Sequence, residues 1–292
     1  MSRKHPIIAV TGSSGSGSSV VINAFKHILL REGARFALVD GNGFHRYDRE
    51  RFKTVVEETM LAGGAISHFA PEANLLDRLE ELLREYSVSG TGKHRRYIHN
   101  AEEAAEFNQE PGTFTAWEPI PQDTDVLYYQ GLHGCFVSDS IDIAQYMDLK
   151  IGVVPIVNLE WIQKIHRDTA ERGYSAEAVT DTILRRMPDY VRYITPQFSR
   201  TDINFQRVPT ADTSNPFVAR DVPTLNESIV VIRVVDATKC KVDFPYLLRN
   251  IHDSFMSRRN TLVIPGGELE MAMELILAPV VHDVLARREQ LH

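Results

Sequence analysis

A glycine- and serine-rich run, Gly12-Ser13-Ser14-Gly15-Ser16-Gly17-Ser18-Ser19, follows the pattern G-x-x-x-x-G-x-S. Glycines at this spacing let the backbone curl until successive N–H groups point inward, where they can hold phosphate oxygens. A helix starting behind the loop adds its dipole, and Ser19 stands where a hydroxyl reaches Mg2+. Ser18 occupies the position at which such loops usually carry a lysine, so the missing cation must come from elsewhere. The alternative is a serine-rich turn that only caps a helix; an apolar strand pattern before it and a helical pattern after it favour the phosphate loop. The candidate cation donors lie in WIQKIHRDTAERG at 161–173. There Lys164, Arg167 and Asp168 fall at i, i+3 and i+4 and share one helix face, with Arg172 near the end of the same helix. By spacing alone, a solvated, salt-bridged face is the better account of that trio.

These residues need a scaffold, and the surrounding pattern supplies one. PIIAVT at 6–11 is a short apolar, β-branched run that predicts a buried strand. A helical pattern covers 18–31 and closes at Gly33, and RFALV at 35–39 predicts a second strand. Strand, helix and strand in immediate succession open a parallel sheet. Helices are expected over 48–62 and 72–86, strands over 125–129 and 149–157, helices over 158–172 and 175–193, a strand over 228–235, and an amphipathic helix over 267–290. Residues 87–121 are polar with interspersed Gly, Pro and aromatics, which fits an ordered insertion or loop. The implied fold class is α/β, with a mostly parallel central sheet and helices on both faces, of the P-loop nucleoside triphosphate kinase type, in a single domain over residues 1–292.

Composition narrows the classes further. Of 292 residues, 43% are hydrophobic and 24% charged, an ordinary globular balance, and no apolar run is long enough to span a membrane. The apolar stretch after Met1-Ser2-Arg3-Lys4-His5-Pro6 is too short for a signal peptide, so a cytoplasmic location is expected. Two cysteines, Cys135 and Cys240, exclude a disulfide scaffold and read as buried, reduced thiols. A net charge of −7 disfavours a nucleic-acid partner but leaves room for a small anion in a local basic pocket.

Taken together, GSSGSGSS at 12–19, GFHR at 43–46, GLHG at 131–134, GVVPIVNLEWIQKIHRD at 152–168, PQFSRTDINFQRVP at 196–209 and DTSNPF at 212–217 resemble the bacterial phosphoribulokinase family along nearly the whole chain. The resemblance implies ATP- and Mg2+-dependent phosphorylation of the 1-hydroxyl of ribulose 5-phosphate, giving ribulose 1,5-bisphosphate. Residues 12–19 would bind ATP. The bacterial branch also lacks the loop lysine, and by position Lys164 and Arg167 look like its replacements, with Asp168 beside them. Ser19 and residue 130 would hold Mg2+. His45, Arg49, Lys53 and Arg172 match positions implicated in sugar-phosphate binding, and basic side chains suit a phosphate dianion. Arg31, Arg233 and Arg258 look like the family's site for NADH as an allosteric effector, and Arg185 and Arg186 resemble a pair implicated in allosteric coupling. Ring-like assemblies in the family imply a homo-oligomer, an octamer. Ser16 stands where plant-type relatives carry a redox-sensitive cysteine, so a thiol switch in that loop is excluded.

The chain departs from the family at two acidic positions. An aspartate is expected two residues before Phe44, where this chain has Asn42, and a glutamate before Gly131, where it has Gln130. Both amides keep the shape and remove a negative charge. Asn42 can orient a hydroxyl but cannot take its proton, and Gln130 offers a hard cation one neutral carbonyl. A kinase that binds but turns over poorly is therefore expected. Asp40, two residues earlier in an extended chain, is a candidate substitute base, and the Asn42-Gly43 pair is prone to deamidation. Two alternatives stand beside this: a non-catalytic ATP- and sugar-phosphate-binding paralogue or regulatory subunit, and a related P-loop small-molecule kinase. A kinase for neutral nucleosides would need fewer cations than the basic set at 45–53 provides.

Overall fold

The computed structural model describes residues 4–12, 18–170 and 173–289, those at 18–20 and 289 by their backbone alone. Strand β1 (Ile7–Thr11) is four apolar residues followed by a threonine, and all five residues are buried. A strand of that composition has no face for water and belongs in the middle of a covered sheet. Helix α1 (Ser18–Arg31) follows, then β2 (Phe36–Asp40), α2 (Arg49–Leu61) and α3 (Leu76–Ser89). A two-stranded ribbon, β3 (Lys93–His94) with β4 (Glu118–Pro119), brackets the short helix α4 (Ala101–Phe107). The chain continues through β5 (Val126–Gly131), β6 (Leu149–Val154), α5 (Val157–Ala170), α6 (Ala176–Asp189), β7 (Ile203–Pro209) and β8 (Ser228–Val234). It ends with α7 (Phe244–Asn250), β9 (Phe255–Arg258), β10 (Thr261–Pro265) and α8 (Leu269–Glu289).

Eight strands form one sheet in the order β2-β5-β1-β6-β7-β8-β10-β9. Neighbours from β2 to β7 are parallel, and β8, β10 and β9 extend the sheet in antiparallel fashion. Side chains alternate between two cores. Ile8 and Val10 face α1 and α8, meeting Phe25, Ile28, Ile276 and Leu277. Ile7 and Ala9 face the other way, against Leu79, Leu83 and Tyr86 of α3. Helices thus cover both faces, as the sequence pattern implies. Cys135 and Cys240 are buried and unpaired, and burial raises both thiols to about 11.

Several boundaries differ from the expectation, each for a local reason. The strand expected over 149–157 stops at Val154, because Pro155 has no N–H for a ladder and α5 begins two residues later. The helix expected over 175–193 leaves α geometry at Asp189; Pro188 removes one i→i−4 bond, and Tyr190–Ile194 winds on as a π-helical turn. Strands β7, β9 and β10 were not anticipated. They lie where the sheet turns antiparallel; β9 and β10 are runs of four and five residues, and β7 is apolar only in part, with Asn204, Gln206 and Arg207 interrupting it. The insertion at 87–121 is ordered as α4 and the β3–β4 ribbon.

Leu83 is fully buried between α3 and the sheet, whereas Leu61, at the end of α2, is 91% exposed. Leu83→Ala should therefore lower unfolding stability by about 2–5 kcal/mol and Leu61→Ala by less than about 0.5 kcal/mol. Urea titrations of the two variants measure the difference.

Candidate active site

Three parallel strands stop side by side at one edge of the sheet. Asp40 pairs in register with Gln130, and Gln130 with Val10. Beyond them the Gly12 N–H donates to Gly131 O at 3.3 Å. The backbone after β2 passes so close to the end of β5 that a Cβ on Gly41 would stand 2.6 Å from Tyr129 Oη and 2.9 Å from Gly131 Cα. Only glycine fits at 41 and 131. This crowding brings Asp40, Asn42, Gln130 and Gly12 to the wall of a cleft of about 180 Å³, which α5 and α6 complete with Glu160, Lys164 and Arg186.

Asn42 sits in the 3-10 turn Gly41–Phe44, not on an extended strand. Asp40 caps that turn: its Oδ1 accepts from the Asn42 backbone N–H at 2.9 Å, and its Oδ2 from Asn42 Nδ2 at 3.4 Å. Nδ2 also stands 3.5 Å from His99 Nε2. Burial pushes the Asp40 carboxyl up, and the Asn42 donors and the His99 charge only partly offset that. Asn42 thus acts here as the partner of a desolvated carboxylate.

The turn is held from behind by Arg95, from the segment after β3. Its Nε donates to Gly43 O at 2.7 Å and Nη2 to His45 O at 2.6 Å. The guanidinium lies 3.7 Å from the centre of the Phe114 ring and 4.9 Å from that of Trp117. The Arg95 carbonyl leaves no room for a Cβ on Gly43. Sequence spacing did not mark Arg95, because it meets the turn from 52 residues away.

His45 is buried, with Nδ1 2.9 Å from Asn74 Oδ1 and its ring 4.4 Å from that of His68. Burial pulls His45 down to about 4, and His133, bonded to Phe69 O, likewise to about 4; His68 falls well below its usual value for the same reason. All three are neutral at pH 7, so the cationic His45 expected from the sequence is not a cation here. Arg49 Nη2 donates to His99 O at 2.8 Å. Lys53 is exposed on α2 and paired with Glu50 at 2.7 Å, away from the cleft wall.

On α5 the trio is not a solvated face. Asp168 is 4% exposed, held by Lys164 and by Arg167 Nε at 3.1 Å. Burial lowers the Lys164 ammonium, opposed by its bond to Asp168. Spacing gave the shared face correctly but could not show that Asp168 is buried within it. Arg185 and Arg186 part company: Arg186 lines the cleft, while Arg185 Nη1 lies 3.3 Å from Met60 Sδ of α2. Arg31 closes α1 and pairs with Glu274 of α8. Arg233 and Arg258 flank Thr261 on adjacent strands, and Arg233 Nη2 donates to Phe198 O at 3.2 Å. Ser13, Ser14, Gly15, Ser16, Gly17 and Arg172 lie outside the described residues, as do the side chains of Ser18 and Ser19.

Among the described residues no group of three His, Cys, Asp or Glu side chains could hold a metal ion. The Gln130 amide and the Asp40 carboxylate are the protein oxygens at the strand ends.

A model of the Phosphoribulokinase / Uridine kinase family matches residues 7–214. The chromosomal phosphoribulokinase of Cupriavidus necator is 58% identical over 99% of this chain and 99% of its own length. The phosphoribulokinase of Sinorhizobium medicae is 55% identical over 100% of both. The solved structure of phosphoribulokinase from Rhodobacter spheroides is similar at a TM-score of 0.90 and 50% identity, covering 98% of this chain and 99% of that one.

Asn42→Asp would set a second carboxylate against the buried Asp40 carboxylate. Like charges raise the folded-state value further above the unfolded one, so the folded state binds more protons and stability falls as pH rises. At pH 7 the variant should be less stable by an amount on the order of 1 kcal/mol. The deficit should vanish below the unfolded carboxylate range, near pH 4. Thermal unfolding of both proteins between pH 4 and 8 checks this.

Proposed function

This chain belongs to the phosphoribulokinase / uridine kinase family, and from that premise we propose that it transfers the γ-phosphoryl group of ATP to the 1-hydroxyl of ribulose 5-phosphate, giving ribulose 1,5-bisphosphate and ADP, at a turnover held far down by Asn42 and Gln130. The observation that carries the substrate is the likeness, over nearly the full length of both chains, to phosphoribulokinases of several bacteria. The family relation makes the chain a sugar-phosphate kinase, and kinases of this family use ATP and Mg2+.

Phosphoryl transfer asks mainly for in-line positioning and for neutralisation of the equatorial oxygens. Residues 12–19 take the nucleotide phosphates. Lys164 and Arg167 supply the cation that the loop lacks, and Asp168 fixes both in place. Ser19 and Gln130 would be the protein oxygens that hold a Mg2+ bound with the nucleotide, which would supply further neutralisation. Arg49 and Arg172 serve the phosphate of the sugar substrate and His45 contacts the same substrate; Lys53 joins them only by leaving Glu50. Asn42 Oδ1 orients the attacking hydroxyl but takes no proton. A missing general base costs about 10²–10⁴ in rate, or about 3–5 kcal/mol of barrier. Asp40 is a poor replacement, because both its oxygens already accept from Asn42.

The proposal extends to control and assembly. NADH binds as an effector at Arg31, Arg233 and Arg258, with Arg185 and Arg186 coupling that site to the cleft, in a cytoplasmic homo-octamer. The cross-strand row Arg233–Thr261–Arg258 supports the first of these. No helix among the described residues is long and apolar enough to cross a membrane. The two amides also favour a second reading, a non-catalytic subunit that binds ATP and sugar phosphate.

Ribulose 5-phosphate-dependent ADP release, with and without NADH, tests the proposal on fresh protein whose Asn42 is verified by mass spectrometry. The double variant Asn42→Asp, Gln130→Glu should exceed the unaltered chain by about 10²-fold or more. Equal rates would remove the two amides from the account. No turnover in either protein, with both substrates bound, would favour the non-catalytic reading.

A further inference from the structure

His45 enters the cleft wall in one hydrogen-bonding state only, and a neighbour that sequence reading passed over decides which. Asn74 is 2% exposed and lies beside His45 because the two short segments pair: Leu75 N donates to Phe44 O at 2.7 Å, and Arg46 N to Ala73 O at 2.9 Å. Asn74 Nδ2 donates to two backbone carbonyls, His68 O at 2.9 Å and Ala70 O at 2.8 Å. Carbonyls only accept, so the amide nitrogen must face them and Oδ1 must face His45. An amide oxygen also only accepts, so His45 Nδ1, 2.9 Å away, must carry the proton. In a neutral imidazole the other nitrogen is then a lone-pair acceptor. Burial, the neighbouring His133 and His99 rings and the Arg186 charge all disfavour a second proton. Nε2 makes no hydrogen bond among the described residues, and His45 lines the cleft.

An acceptor cannot bind a phosphate dianion, whose oxygens also accept. It can take a hydrogen bond from a hydroxyl. We propose that His45 Nε2 reads a hydroxyl of the sugar rather than its phosphate, and that Asn74 is the positioning residue that sets His45 to do so. The inference rests on the sugar-phosphate substrate proposed above and leaves the phosphate to the cations named there for it, Arg49 and Arg172.

Two measurements test it, and neither needs turnover. The first is NMR of the chain labelled with [15N]histidine. His45 Nδ1 should give a protonated, pyrrole-type signal and Nε2 a pyridine-type one, and in Asn74→Ala both should move toward averaged values while the other histidines stay put. The opposite tautomer overturns the proposal. The second is the binding of ribulose 5-phosphate, of its single-deoxy analogues and of inorganic phosphate to the unaltered chain and to His45→Asn. The asparagine amide keeps the bond to Asn74 and lacks the Nε2 acceptor. His45→Asn should weaken ribulose 5-phosphate about tenfold, leave one deoxy analogue unaffected, and leave inorganic phosphate unaffected. Unchanged ribulose 5-phosphate affinity, or an equal loss for inorganic phosphate, overturns the assignment of His45. An unaltered chain that binds no ribulose 5-phosphate overturns the substrate reading itself, a result distinct from either.

Discussion

Strands β2, β5 and β1 end in register, and the backbones leaving them pass so closely that Gly41 and Gly131 admit no side chain. The cleft depends on that constraint. Parallel strands direct their C-terminal ends to one edge, and the first residues past the edge become neighbours whatever their distance in sequence. Asp40, Asn42, Gln130 and Gly12 share a wall for this reason. Arg95 then fixes the turn with two bonds to its carbonyls, between two aromatic rings.

The same crowding sets stability against chemistry at residue 42. A buried carboxylate needs donors, and Asn42 gives Asp40 two. An amide there relieves the strand end electrostatically. An acid there would repel Asp40 and yet could take a proton from a bound hydroxyl. A site that performs general-base chemistry is often less stable than its neutral substitute. This chain has the neutral form at residues 42 and 130.

Charge in the cleft is divided by element. The helices α5 and α6 carry the cations, Lys164 and Arg186, with Asp168 bracing Lys164 from beneath. The turn after β2 and the segment near 68 bring His45 and His68 to the cleft, and burial holds both neutral. An anion would be drawn toward the helices, and a hydroxyl toward the histidines.

Much of this was legible in the residues themselves. The apolar run at 7–10 could only be a covered strand, and the helix-to-strand alternation required a parallel sheet flanked by helices. Spacing marked Lys164, Arg167 and Asp168, and the family resemblance marked Asn42 and Gln130. Local pattern reports burial and periodicity, so it missed β7, β9 and β10, which are stabilised by partners across the sheet. It also could not separate Lys53, solvated and paired with Glu50, from Lys164, largely buried at the cleft and paired with Asp168. Residue type fixes what a side chain can donate or accept. Only the tertiary structure decides its solvation and its partner, because protonation and tautomer depend on groups remote in sequence: Asn74 for His45, Arg186 for Lys164, and Arg95 for the turn that carries Asn42.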